Sequence, residues 1–237
     1  YYSAAPIYDK IEKVGKKERA TYGLERLGEG SSRVAIRLRV NANEFSKDGK
    51  RVMQSYGIKP SGVINTIIKL ALNERGVAQN TSEIRAWEKT KSRLFVPVLD
   101  SSASNRRQQA VEINGEPVPP QFSNWIQTIE VSPFSNSKEA PWFSALEDFF
   151  GIPGRLLKTA FGYYSSSYDE FLDKIKEWES DYGLKREQVD NLKELVKASR
   201  DGEMVMGDLT QAANWGQLGG RLFVLDYGFD VATVGAY

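Results

Sequence analysis

The chain has neither cysteine nor histidine in 237 residues. The first absence excludes disulfides, a thiolate nucleophile and a zinc knuckle. The second excludes a Ser-His-Asp triad, a histidine metal site and an imidazole general base. Any chemistry must therefore run on carboxylates, lysine, arginine, tyrosine or backbone groups. Neither sign of charge is in excess: 32 Lys and Arg stand against 31 Asp and Glu, so bulk electrostatics indicates neither a nucleic acid nor an anionic membrane as partner. The basic group Lys10, Lys13, Lys16, Lys17 and Arg19 reads as a solvated helix face. No apolar run approaches the roughly 18 residues of a membrane span. No stretch reads as a signal peptide, although a start at Tyr1 rather than Met leaves room for a leader or a longer N-terminus.

What is present is ordinary for a soluble globular chain, with 41% hydrophobic and 27% charged residues. The length suits one large domain or two small lobes with a substantial core. Residues 1–20 read as a polar, partly helical lead-in. "YGLERL" then runs into the glycine-rich turn "GEGSS", and "RVAIRLRV" alternates with period two. Val34, Ile36 and Leu38 are expected to face a core, and Arg33, Arg37 and Arg39 to face water. Residues 41–62 read as loop with a short helix around Val52–Tyr56. "GVINTIIKLAL", 62–72, reads as a strand, and "QNTSEIRAWEKTKS", 79–92, as a helix capped by Asn80 with Glu83 three residues on. "LFVPVLD", 94–100, is an edge or bulged strand because of Pro97. Asn114-Gly115 signals a hairpin, and "NWIQTIEVS", 124–132, is a further strand. Helices follow at 140–151, 168–183 and 185–202, with Phe171, Ile175, Trp178, Tyr182, Val189, Leu192 and Val196 on core stripes.

Four features carry possible chemistry. Gly28-Glu29-Gly30-Ser31-Ser32 lies between two strands, and glycines there let backbone N–H groups approach an anion; a plain hairpin would use glycine equally. Lys69 sits inside an apolar strand, where it either snorkels from an edge or meets an anion. Glu83 and Glu88 are the rival partners. They lie about 140° apart around a helix, so only one faces the strand, and the expectation is Glu83. Asp208 follows a long helix. Asn214 and Asp226 flank the turn "GQLGG". An Asp in a fixed loop can accept a hydroxyl proton, and an Asn with a second Asp can hold Mg²⁺ on nucleotide phosphates.

The segments "LGEGSSRVAIRL" (27–38), "IIKLALNERGVAQNTSEI" (67–84), "GDLTQAANWG" (207–216) and "LFVLDYGF" (222–229) together resemble the protein-kinase-like superfamily. The likeness is to its aminoglycoside and choline phosphotransferase branch and to small kinase-like proteins of bacteriophages. The resemblance implies an α+β, two-lobed kinase-like fold: an N-terminal extension at 1–20, a five-stranded antiparallel N-lobe with one helix at 21–132, and a mainly helical, C-terminally truncated C-lobe at 133–237. It implies ATP and Mg²⁺ as cofactors. Gly28, Glu29, Gly30, Ser31 and Ser32 would cover the phosphates, Lys69 would bind them and pair with Glu83, and Asp208 would stand at the catalytic base position. Asn214 and Asp226 would hold the metal. Residues 126–133 would supply the adenine-binding hinge, with Glu130 among the nucleotide-binding residues.

Several positions depart from the family pattern. Met206-Gly207-Asp208 stands where the family has His-Arg-Asp or His-Gly-Asp. The third glycine of the phosphate loop is replaced at Ser32-Arg33. Asn214 comes six positions after Asp208 where five are usual, and Tyr227 replaces a phenylalanine. Eleven residues follow Asp226, too few for an activation segment. The expected function is transfer of the γ-phosphoryl group of ATP to a hydroxyl of a protein or small molecule, in the cytoplasm of a host if the chain is phage-encoded. The alternatives are an inactive pseudokinase serving as a binding or virion module, and nucleotidyl transfer on the same fold.

Overall fold

Strands β2 (Arg33–Asn41) and β3 (Val63–Ala71) pair antiparallel along their whole length, from Arg33 opposite Ala71 to Asn41 opposite Val63. The period-two alternation puts Val34, Ile36 and Leu70 into one buried cluster, with Ile68, Leu72 and Trp125 packed on it. Each such aliphatic side chain stabilises the fold by about 1.5–3 kcal/mol when fully buried. The computed structural model describes residues 25–45, 47–59, 61–102, 112–113, 116–117 and 124–228; the N-terminal extension expected at 1–20 lies outside them. The chain divides into two compact units, Tyr1–Ile84 with Pro97–Glu130, and Arg85–Val96 with Val131–Tyr237.

The first unit holds a five-stranded antiparallel sheet in the order β1-β2-β3-β7-β4, where β1 is Glu25–Glu29, β4 is Val98–Ser101 and β7 is Trp125–Ile129. β4 lies at the edge, as Pro97 immediately before it requires. It is shorter than the strand expected at 94–100, because Phe95 instead bridges to Val224 in the second unit. β5 (Glu112–Ile113) and β6 (Glu116–Pro117) form the small hairpin that Asn114-Gly115 signals. Helix α1 (Lys47–Ser55) starts earlier than the short helix expected around Val52–Tyr56, and it buries Met53 together with Gly49.

Helix α2 (Glu74–Thr90) starts five residues before the expected 79. Asn73 is the cap: its Oδ1 accepts the Gly76 N–H at 3.1 Å, and its Nδ2 donates to the Ser31 carbonyl at 2.8 Å. Asn80 is therefore not a cap. It lies in mid-helix with no exposure, and its side chain donates to Lys69 O, Asn124 O and Asn124 Oδ1.

The second unit is mainly helical: α3 (Ala140–Phe150), α4 (Gly154–Tyr163), α5 (Tyr168–Asp181) and α6 (Arg186–Asp201). Gly151, in the left-handed region at φ 75°, ends α3 by donating to Glu147 O. Gln188 Oε1 accepts the Lys185 N–H at the start of α6. Phe171, Ile175, Trp178, Val189, Leu192 and Val196 are buried as their spacing predicts. Tyr182 is not: it lies one residue past α5, ends that helix through a bond to Trp178 O, and is 45% exposed. Trp142 is a core residue, and Phe161 stacks on Trp215 at 5.8 Å between centroids. Strands β8 (Ser132–Pro133), β9 (Trp215–Leu218) and β10 (Arg221–Val224) make a second sheet in the order β10-β9-β8. The β9–β10 turn is Gly219-Gly220, both with positive φ (57° and 77°), the pattern of a two-residue hairpin turn that only glycine adopts freely. Among the described residues there are thus six helices and a five-stranded antiparallel sheet, a mixed α and β chain. None of these helices is long and apolar enough to cross a membrane.

Candidate functional site

Within the first unit, β3 places Lys69 opposite Ala35 of β2 and Ile126 of β7, in the middle of the sheet. The edge-lysine alternative is thereby removed. Its ammonium donates to both oxygens of Glu83, at 3.0 and 2.9 Å. The Glu83 side chain has no exposure, whereas Glu88 is exposed, so the choice between the two follows from which face of α2 meets the sheet. Arg33 joins them: its guanidinium donates to Glu83 Oε1 at 2.7 Å and to Asn80 Oδ1 at 3.2 Å. The expectation that Arg33 and Arg37 face water is therefore corrected. They share the sheet face of Lys69, where Arg33 meets Glu83 and Arg37 is paired with Glu130. Alternation assigned the face correctly but could not tell that carboxylates cover it. Arg39, further along, is exposed.

The glycine-rich stretch is divided by the fold. Gly28 lies in β1 beside a register shift between Arg26 and Gly28, and the tight turn is Gly30 to Arg33, closed by a 2.8 Å bond from Gly30 N–H to Arg33 O. A Cβ on Gly28 would meet nothing within 4 Å. Ser31 is exposed, while Ser32 is buried and its hydroxyl donates to Gln79 of α2. Gly76, which sequence reasoning passed over, is the glycine that packing against this turn requires. A Cβ there would lie 2.1 Å from Ser32 O, so α2 approaches the turn closely only because residue 76 has no side chain. Glu130, at the end of β7, donates its N–H to Asn65 O at 3.2 Å in addition to its Arg37 pair.

Within the second unit, two short 3-10 turns follow α6, Met206–Thr210 and Ala212–Asn214. The Asn214 Nδ2 donates to Asp208 O at 2.8 Å, and Leu225 N–H donates to Asn214 O at 2.8 Å. Asp208, Asn214 and the start of the Asp226 segment are thereby brought together. Asp208 is half-buried, and its Oδ2 is a buried oxygen with no hydrogen-bond partner. Burial, and after it the charge of Asp226, push the Asp208 carboxyl up from its ordinary 3.8 to about 6. Asp226 Oδ1 accepts from Gly228 N–H at 3.5 Å. Tyr227 is buried, stacked on Phe95 at 4.4 Å, and its hydroxyl donates to Val96 O at 2.6 Å.

Among the described residues no three acidic side chains gather into a metal-binding group. The donor set offered by Asn214 and Asp226 is instead one amide oxygen and one carboxylate. That fits magnesium, which keeps several waters and takes one or two carboxylates plus phosphate oxygens rather than an all-protein cage. No family model matches the chain, and no curated protein is similar to it.

Proposed function

We propose that the chain is an ATP- and magnesium-dependent phosphotransferase with a two-lobed, kinase-like fold, transferring the γ-phosphoryl group to a hydroxyl of a protein or small molecule. The observation that carries this reading is the Lys69–Glu83 pair. A mid-strand lysine bound through both oxygens of a wholly buried helix glutamate is an expensive arrangement for stability alone, since burying two charges costs several kcal/mol per ion before their attraction offsets it. Glu83 fixes the ammonium, leaving it oriented as a cation for phosphate. Gly28, with open space at its Cα, allows backbone to approach an anion.

In the second unit, Asp208 has the proton affinity of a base poised near neutral pH; it would take the proton of the acceptor hydroxyl. Asn214 has its amide nitrogen committed to Asp208 O, which directs its oxygen away as a ligand, with Asp226 as the second. Magnesium at these oxygens would neutralise phosphate charge.

A catalytically inactive binding or virion module is the second reading, favoured by the engagement of Ser32 with Gln79 and of Ser31 O with Asn73, which commits part of the turn to the protein. Against it, Tyr227 and Trp215, the rings that would fill a defunct nucleotide site, are core residues of the second unit.

Calorimetry with MgATP on the wild type, Lys69→Ala and Asp226→Ala tests the proposal. Micromolar, magnesium-dependent binding lost in both variants is the expected result. No binding at millimolar nucleotide by a folded wild type would remove it in favour of the module.

A further inference from the structure

A 3-10 turn has poor hydrogen-bond geometry and does not hold a side chain by itself. In the Met206–Thr210 turn that carries Asp208, Met206 is fully buried. The bonds that brace the turn come from Ser165, in the connection between α4 and α5. The Ser165 carbonyl accepts the Met206 N–H at 2.9 Å, and its hydroxyl oxygen accepts the Gly207 N–H at 3.2 Å. A Cβ on Gly207 would lie 2.8 Å from Ser165 Oγ, so a glycine at 207 is what lets the two segments meet. Thr210 Oγ1 donates to Gly207 O at 2.7 Å, and Trp215 Nε1 donates to Leu209 O at 2.9 Å. The Met206 and Gly207 amides are thus tied to Ser165, the peptide between Gly207 and Asp208 to Thr210 and Val205, and the carbonyls of Asp208 and Leu209 to Asn214 and Trp215.

We infer that Ser165 is a positioning residue for Asp208, fixing the Met206 and Gly207 amides that lead into it so that the carboxyl stays in one place in its half-buried setting. It touches no reacting atom and acts only through the backbone at 206 and 207. The kinetic consequence rests on the phosphotransfer reading; the structural consequence does not.

Ser165→Ala, Ser165→Thr and Gly207→Ala, each shown to unfold cooperatively, are compared with wild type by amide hydrogen exchange and by MgATP hydrolysis with water as acceptor. In Ser165→Ala the Gly207 and Asp208 amides exchange faster, and kcat falls about tenfold while KM holds within about twofold. Gly207→Ala gives the same pattern, and Ser165→Thr, which keeps the hydroxyl, recovers both readouts. Faster exchange at Gly207 with kcat and the Asp208 amide unchanged would overturn the proposal, because the bond would then be structural only. Unchanged exchange at Gly207 would overturn it as well. If the wild type hydrolyses no MgATP, the phosphotransfer reading falls, and Ser165 is judged on the Asp208 amide alone: faster exchange in Ser165→Ala supports the role, and unchanged exchange ends it.

Discussion

Glu83 and Asp208 are both carboxylates that the fold removes from water, and their surroundings treat them in opposite ways. In the first unit Glu83 is wholly buried but meets Lys69 on both oxygens and Arg33 on one. In the second unit Asp208 is only half-buried, yet one of its oxygens has no hydrogen-bond partner, and the charge it feels is that of Asp226. Burial raises the Asp208 carboxyl while nothing donates to its buried oxygen, whereas the more deeply buried Glu83 has cations on both oxygens. A satisfied carboxylate organises a sheet face, whereas an under-satisfied one with raised proton affinity is suited to taking a proton or meeting a cation. Half of the contrast concerns architecture and half concerns chemistry.

The comparison can be broken most directly at Glu83. Glu83→Ala leaves two cations facing an emptied buried position, and stability is expected to fall by about 3–5 kcal/mol, read as a shift of the urea midpoint. An unchanged midpoint would mean that the triad contributes nothing to the first unit. Next in size is Gly76→Ala, whose Cβ collides with Ser32 O and should cost about 1–3 kcal/mol by overpacking; Gly28→Ala, whose Cβ meets open space, should leave the midpoint nearly unmoved.

Asp208 supplies a test in the opposite sense. Its folded-state proton affinity is raised, so its protonated form favours the fold. That contribution is fully present below the unfolded carboxyl range and is lost as pH rises through about 6. Asp208→Asn should therefore be more stable than wild type at pH 8 and gain little at pH 4. A variant with the wild-type pH profile would show that Asp208 is not under-satisfied. A modest loss is expected from Tyr227→Phe, which removes one buried hydrogen bond to Val96 O and should cost about 1 kcal/mol in thermal unfolding.

Much of the first unit was legible because alternation is a local signal. Lys69 interrupts an apolar strand, and Glu83 rather than Glu88 follows once one face of a helix must meet that strand. The mistakes arose where two local signals competed. Asn80 and Glu83 match a capping box, but Asn73 lies two turns earlier and wins the cap because its amide also ties down the Ser31 carbonyl. Helix α4 was missed because its flanks give little to read: Pro153 precedes it, no side chain caps it, and Tyr163 ends it 76% exposed. Arg33 and Ser165 were invisible for another reason. Each acquires its role from a segment more than 40 residues away, and nothing in its own neighbourhood carries that information.

By itself the sequence determined most of the elements that form, that the chemistry must proceed without thiol or imidazole, and which acids and lysine stand out from their strands and loops. Periodicity and turn residues act over a few positions, so one chain is enough to read them. Only the tertiary structure decided that Lys69 and Arg33 share Glu83, that Gly76 rather than Gly28 is sterically obligatory, and that Asp208 sits beside Asp226 with an oxygen unpaired. Those are facts about burial and approach, which depend on what the rest of the fold brings alongside.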